Sequence, residues 1–428
     1  MFALQSNNGI QQTTSYKVVL PFYVFAAFSF LVATILLLIH SGIIHQHYFQ
    51  PYTLAITHIM ALGWGTMIIL GASHQLLPVL IEGKLDSNFL AYLTFAFTAT
   101  GIPFLALSFY EFNTGWPMQT GAILINLGVI CYLTNVISSI YESKKHDVHA
   151  WYMAAASIWL FSTTFFGLLL VFNFKHNVLP QNSISYLSIH AHLGLIGWFL
   201  MLIIGVASRL IPMFLISKYT NDRNLWWIFI LINSSLISFI LLRVFGASTF
   251  LYYFPLMLSF LAILLFGNHC RNAYKVRIRK AVDEQMKMSL LSVGQMLLPF
   301  VALLLVLALL PTGKFPQLPI LYGFCIFFGW ITAIIFGMTF KTLPFIVWNK
   351  VYRDRANRGK TPVPKELFSE IIYKGMAITY IAGFLVFALG IVLLNDILLK
   401  LGAACLLVAA ILYVYNAGIT LFHQPKEP

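Results

Sequence analysis

Twelve apolar runs, each about twenty residues long or longer, constrain the fold of this 428-residue chain more than any other feature. A helix needs about 20 apolar residues to cross the hydrocarbon core of a bilayer, where only helices and closed barrels satisfy the backbone. Because 60% of the residues are hydrophobic and only 9% are charged, a soluble domain of this length is excluded. The sequence therefore predicts an all-α polytopic membrane protein with twelve transmembrane helices.

The predicted helices cover residues 17–41, 51–80, 88–112, 117–142, 148–174, 185–215, 224–245, 248–268, 286–310, 317–348, 368–395 and 397–422. Lysine and arginine concentrate in the loops that follow even-numbered helices, so the positive-inside rule places both termini in the cytoplasm. The net charge of +13 is then mostly a topology signal. We expect a multi-pass protein of the inner (cytoplasmic) membrane, with the lipid bilayer as its surroundings and no nucleic-acid partner.

One residue frame recurs in the second, sixth and tenth predicted helices. The frame is a leading residue followed by Gly-Trp, Gly and Pro at offsets of 5, 6, 13 and 20 residues, and it starts at His58, His192 and Phe324. Such self-similarity is typical of internal repeats. Because each copy spans an even number of helices, the copies are parallel. The sequence predicts a single membrane domain, residues 1–428, made of three parallel four-helix repeats over approximately residues 17–142, 148–268 and 286–422.

The histidines that open this frame are the candidate metal ligands. His58 and His192 are predicted at matching depth in the outer half of the bilayer, as two axial ligands of one haem iron would be. His190 lies two residues before His192, so its ring leaves the helix about 200° away and is available to a second haem or a copper ion. The alternative interpretation is structural, because a buried histidine can simply bind a neighbouring carbonyl group.

The remaining charged and titratable residues are less specific. Arg243 is predicted near the outer face, where it would neutralise haem propionates or, alternatively, snorkel to the interface. His74 is predicted too far along its helix to share the site of His58, and His149 and His269 are predicted as loop or helix-end residues. None of the thirteen carboxylates falls in the middle of a predicted helix, which argues against a proton pump or a proton-coupled transporter.

Twelve helices in three parallel groups of four resemble subunit I of the haem–copper oxidases. The segment His190–Pro212 is similar to the helix of the cbb-type branch that carries H-x-H haem ligands. The chain also resembles NnrS, a twelve-helix haem- and copper-containing family linked to nitric oxide, at Gly205, Val206 and Arg209. The resemblance implies that His58 and His192 bind a low-spin haem b, and that His190 binds a second haem or copper.

Two departures limit what this resemblance implies. The H-x-H helix is the sixth here rather than the tenth, and the seventh helix lacks the His-His pair that completes the oxidase copper site. The resemblance therefore favours a haem b protein in electron transfer or in nitric oxide or oxygen chemistry, with a redox partner or another oxidase subunit, over a terminal oxidase. The alternatives from other classes are a transporter built from parallel repeats and a non-catalytic assembly or accessory protein.

Overall fold

The computed structural model describes residues 14–42, 47–278, 280–309, 313, 315–353 and 361–425. Within these residues, twelve helices are long and apolar enough to cross a membrane, which confirms the predicted multi-pass architecture. They are α1 (Tyr16–Ile39), α2 (Pro51–Leu80), α3 (Asn88–Tyr110), α4 (Trp116–Tyr141), α5 (Val148–His176), α6 (Ser183–Phe214), α7 (Asp222–Val244), α8 (Thr249–Lys275), α9 (Glu284–Leu309), α10 (Leu318–Tyr352), α11 (Glu370–Leu393) and α12 (Asp396–Leu421).

Three of these helices form the centre of the bundle. In α2, α6 and α10, between 67% and 78% of the most apolar stretch is buried, whereas the value in each other helix is 50% or less. The nine outer helices therefore turn much of their apolar surface outward, as helices that face lipid do. The residues of the repeated sequence frame thus lie on the three helices with the most protein around them.

Each central helix contains a segment of π-helix in the same place. The segments are Ile59–Thr66, Leu193–Leu200 and Cys325–Ile331, and each starts one residue after the leading residue of the frame. A π-helix is wider than an α-helix, is rare, and often occurs at functional sites. The three helices therefore change their winding immediately after His58, His192 and Phe324.

Two tryptophans of the frame connect the central helices to one another. The indole nitrogen of Trp64 on α2 donates to Thr332 Oγ1 on α10 at 3.1 Å, and that of Trp198 on α6 donates to Thr66 Oγ1 on α2 at 3.0 Å. All four side chains are buried. Because each buried indole N–H requires an acceptor, these bonds fix the register between the central helices.

We expect Thr66→Val to lower the free energy of unfolding by about 1–3 kcal/mol, because the indole N–H of Trp198 then stays buried without an acceptor. Thermal unfolding of the purified protein in detergent measures the effect. Thr100→Val is the matched control, since the Thr100 hydroxyl is exposed and bonds only to Ala96 O in its own helix. Equal destabilisation by the two substitutions would contradict this role of Thr66.

Close packing of the central helices against outer helices explains why the second glycine of the frame occurs in all three copies. A Cβ atom at Gly71 on α2 would lie 2.7 Å from Phe22 Cβ on α1, and one at Gly205 on α6 would lie 2.5 Å from Tyr152 Cβ on α5. At Gly337 on α10 a Cβ atom would collide with Ser289 on α9. In each case the central helix lies directly against the outer helix that precedes it in the chain.

Candidate functional site

A cavity of about 640 Å³ lies at the end of the bundle where α2, α6 and α10 begin, which we call the histidine end. This volume is within the range of small-molecule and cofactor pockets. The lining is mostly aliphatic and aromatic, and all four predicted site residues, His58, His190, His192 and Arg243, contribute to it. The structure therefore brings the sequence-predicted residues to one cavity.

The rings of His58 and His192 are oriented by their own helices. His58 Nδ1 is 2.8 Å from Leu54 O, and His192 Nδ1 is 2.7 Å from Ser188 O. A carbonyl oxygen only accepts, so Nδ1 carries the proton in both rings and Nε2 keeps its lone pair. Histidines that bind metals typically have their second nitrogen fixed by a carbonyl or carboxylate in this way.

The histidine that faces His58 is His190. Their ring centres are 6.4 Å apart and the ring planes are inclined by 20°. His58 also stacks on Phe109 of α3, with ring centres 4.4 Å apart. This pairing differs from the predicted pair of His58 and His192. The two rings on α6 do point in different directions, as predicted, but the direction that faces α2 belongs to His190.

His192 lies on the other side of α6, between α7 and α10. Its ring centre is 4.6 Å from that of Phe239, and its Nε2 is 3.4 Å from the hydroxyl group of Tyr322. Because Nδ1 of His192 carries the proton, the Tyr322 hydroxyl is the donor. Tyr322 stands two residues before Phe324, the same offset that separates His190 from His192. Tyr322 therefore occupies, in the third copy of the frame, the position that His190 occupies in the second, and this equivalence could have identified it from the sequence.

His190 occupies a place that Gly167 of α5 leaves open. A Cβ atom at Gly167 would lie 2.8 Å from His190 Cε1. His190 Nδ1 is buried and has no hydrogen-bond partner among the described residues. A buried polar atom without a partner costs about 1–3 kcal/mol, and a ligand in the cavity that bonded to this nitrogen would remove that cost.

Two further polar atoms in the cavity wall have no partner within the described part of the chain. They are Asn126 Oδ1 on α4 and Ser188 Oγ on α6. The Asn126 side chain is only 6% exposed, and its Nδ2 donates to Ala122 O and Thr164 O at 2.9 and 3.0 Å. Its oxygen is thus fixed as an acceptor, and no donor for it occurs among the described residues. Nothing in the sequence frame pointed to Asn126.

The mouth of the cavity carries the polar residues nearest to the end of the bundle. The Arg243 guanidinium donates to Ser185 O at 3.0 Å, and the His40 ring stacks on Tyr52 with centres 4.0 Å apart. Burial lowers the pKa of His40, so this ring is neutral at pH 7. Arg243 is therefore the cationic side chain among the cavity-lining residues at neutral pH.

The other intramembrane histidines stabilise helix packing. His74 is buried between Phe22 and Tyr132, away from the cavity as predicted. His149 is the second residue of α5, at a helix end as expected, and His269 lies in the last two turns of α8. Their side chains are nevertheless buried, at 6% and 1% exposure. They bond to Gly205 O at 3.0 Å and Ser208 O at 3.3 Å on α6.

A proline explains the second of these bonds. Pro212 has no backbone N–H, so the carbonyl group of Ser208, four residues earlier, loses its donor within the helix. His269 on α8 supplies that donor from a neighbouring helix. The burial of His269 thus follows from the Leu-x-Pro end of the frame, and the ring belongs to the packing of α6 rather than to the cavity.

The residues in the cavity suit some metal centres better than others. No group of three or more His, Cys, Asp or Glu side chains that could hold a metal ion occurs among the described residues. A zinc or copper site built only from protein ligands normally uses three or four of them. A haem iron needs only one or two axial protein ligands, because the porphyrin supplies four nitrogens. The histidine pair in an apolar cavity therefore fits haem better than a bare metal ion.

The chain matches no protein-family model, and no curated protein matches it in sequence.

Proposed function

We propose that this chain is a membrane-embedded haem b protein in which His58 and His190 would hold the iron. The facing histidine pair is the observation that carries the proposal. A metal ion bound to one nitrogen of each ring requires ring centres roughly 6 Å apart, since a metal–nitrogen bond is about 2 Å long and each ring adds about 1 Å. The separation of 6.4 Å agrees with that requirement.

The surrounding residues support a large planar cofactor rather than a bare ion. The cavity volume of about 640 Å³ far exceeds what an ion needs, and its aromatic and aliphatic lining suits a porphyrin. Arg243 at the mouth supplies a positive charge for the propionate groups. His58 Nδ1, bound to Leu54 O, holds its ring in the tautomer that leaves Nε2 to the iron.

We further propose one haem rather than two. The Nε2 atom of His192 is 3.4 Å from the Tyr322 hydroxyl, which leaves no room for a metal ion between them. Under this proposal His192 fixes Tyr322 and the packing of α6 against α10. A copper ion at His192 would require Tyr322 to move.

We also propose that the chain consists of three parallel four-helix repeats with both termini in the cytoplasm. The π-helical segments at equal offsets from His58, His192 and Phe324 support the repeats. The two tryptophan bonds, from α2 to α10 and from α6 to α2, follow the same cyclic order. The basic loops support the orientation, which puts the histidine end at the outer face of the inner membrane.

The bound haem would supply reversible one-electron transfer. Because two histidines would hold the iron, the site favours electron transfer over binding of nitric oxide or oxygen. The resemblance to the haem–copper oxidases and NnrS agrees with both activities, and a redox partner on the outer side would deliver or accept the electron.

The first experiment is the absorption spectrum of the purified protein from haem-replete cells, oxidised and dithionite-reduced, with and without nitric oxide. We expect a Soret band and a reduced α-band of the b type, and no shift with nitric oxide within the mixing time. A rapid shift would show an open coordination position and indicate gas chemistry. A colourless protein would contradict the haem proposal and leave the transporter and accessory functions.

A further inference from the structure

A groove of about 450 Å³ lies between α9 and α11, at the end of the bundle opposite the histidine end. Its eight lining residues are Glu284, Lys287, Met288 and Leu291 of α9 and Lys374, Ala377, Ile378 and Ile381 of α11. On each helix the four residues are separated by the same steps of three, one and three positions. Residues at this spacing lie on one helix face, so two matching faces form the walls.

The groove is open toward the surroundings of the bundle. The side chain of Ile378 is 69% exposed, and those of Leu291 and Ile381 are 39% and 37% exposed. The small side chain of Ala377 leaves space between these larger residues. In a membrane-spanning bundle, exposed aliphatic side chains at this position contact lipid chains.

The groove is divided into a charged part and an apolar part. Glu284, Lys287 and Lys374 lie in the first turn or two of their helices, where a transmembrane helix meets the headgroup region. Lys287 Nζ donates to the Glu284 carboxylate at 2.9 Å, whereas no ion pair of Lys374 occurs in the described part of the chain. Two ammonium groups and one carboxylate give this part a net charge of +1. The apolar part follows along both helices.

We propose that this groove binds one phospholipid with an anionic headgroup. Lys374 and Lys287 contact the phosphate, and an acyl chain lies along Leu291, Ala377 and Ile381. Basic pockets between transmembrane helices on the cytoplasmic side are typical sites for anionic lipid headgroups. The basic loop before α9 adds to the positive potential at this end of the bundle. This inference does not depend on the haem proposal.

Native mass spectrometry of the full chain, released from micelles that contain equal amounts of phosphatidylglycerol and phosphatidylcholine with identical acyl chains, tests the proposal. We expect the protein to retain one phosphatidylglycerol in at least fivefold preference over phosphatidylcholine, and the double variant Lys287→Gln/Lys374→Gln to lose this preference. Lys84→Gln/Lys144→Gln is the matched control, because it removes two exposed lysines from other loops at the same end. This control should keep the preference.

A second variant tests the apolar part separately. Ala377→Trp fills the groove but keeps both lysines, and we expect it to abolish retention of phosphatidylglycerol. An unchanged preference in either groove variant would overturn the proposal, as would equal retention of the two lipids by the natural chain. Displacement of the lipid by excess inorganic phosphate would overturn it too, because the groove would then be a simple anion site. Size-exclusion chromatography confirms that each variant is folded.

Discussion

His58→Ala and His190→Ala should each reduce the haem content of the purified protein at least tenfold. Each substitution removes one of the two facing rings, so only one histidine of the pair remains to hold the iron. Loss of residues that only support a metal ligand already costs 10–100-fold in affinity, so loss of the ligand itself should cost at least as much. The ratio of Soret absorbance to protein absorbance, checked by pyridine haemochrome, measures the effect.

Two other histidines make this experiment specific. His74→Gln is the control, since His74 lies on the same helix and makes the same type of bond, from Nδ1 to Leu70 O, but away from the cavity. It should keep its haem. His192→Ala distinguishes the pair seen in the structure from the pair expected from sequence. If His192→Ala removes the haem and His190→Ala does not, the iron lies between His58 and His192 and our assignment is wrong.

Gly205→Ala should lower the free energy of unfolding by about 1–3 kcal/mol, and Gly205→Val by more. A Cβ atom at this position would lie 2.5 Å from Tyr152 Cβ, and the Tyr152 side chain cannot move aside easily. It is fully buried, and its hydroxyl donates to Leu225 O at 2.8 Å. The melting temperature and the fraction of monodisperse protein after extraction measure the loss.

Gly418→Ala on α12 is the control for the glycine experiment. A Cβ atom there would have no neighbour within 4 Å, and replacing a helical glycine by alanine normally gains about 0.5–1 kcal/mol. We therefore expect effects of opposite sign at the two glycines. Destabilisation of similar size at Gly418 would show that helix propensity in detergent, rather than contact with Tyr152, determines the result at Gly205.

The extent of the helices could be predicted closely from the sequence. Hydrophobicity over about twenty residues sets the length of a membrane helix, and so α2 was predicted at its observed bounds, Pro51–Leu80. The N-terminal limits of other helices differ by up to two residues, and α8 extends to Lys275 beyond the predicted end. The polar last turns of α8 carry no hydropathy signal.

The rotation of each helix about its axis could not be predicted in the same way. In a membrane bundle the faces that meet lipid and the faces that meet protein are both apolar, so periodicity does not distinguish them. The sequence showed that His190 and His192 diverge but not which of them faces His58. For the same reason it gave no indication that Asn126 points into the cavity, or that His269 would replace the donor lost at Pro212.

The π-helical segments give α2, α6 and α10 two rotational phases. An α-helix advances 100° per residue, and a π turn holds one additional residue. The helix after the π turn is therefore rotated about its axis, relative to the helix before it, compared with an uninterrupted α-helix. In α6 the later phase places Gly205 against Tyr152, and the earlier phase places His190 toward α2. One residue removed from Leu193–Leu200 would restore the uniform winding and turn His190 away from His58 while the Gly205 contact stayed in place. The π-helical segment therefore allows one continuous helix to pack Gly205 against Tyr152 at one end and to direct His190 toward His58 at the other.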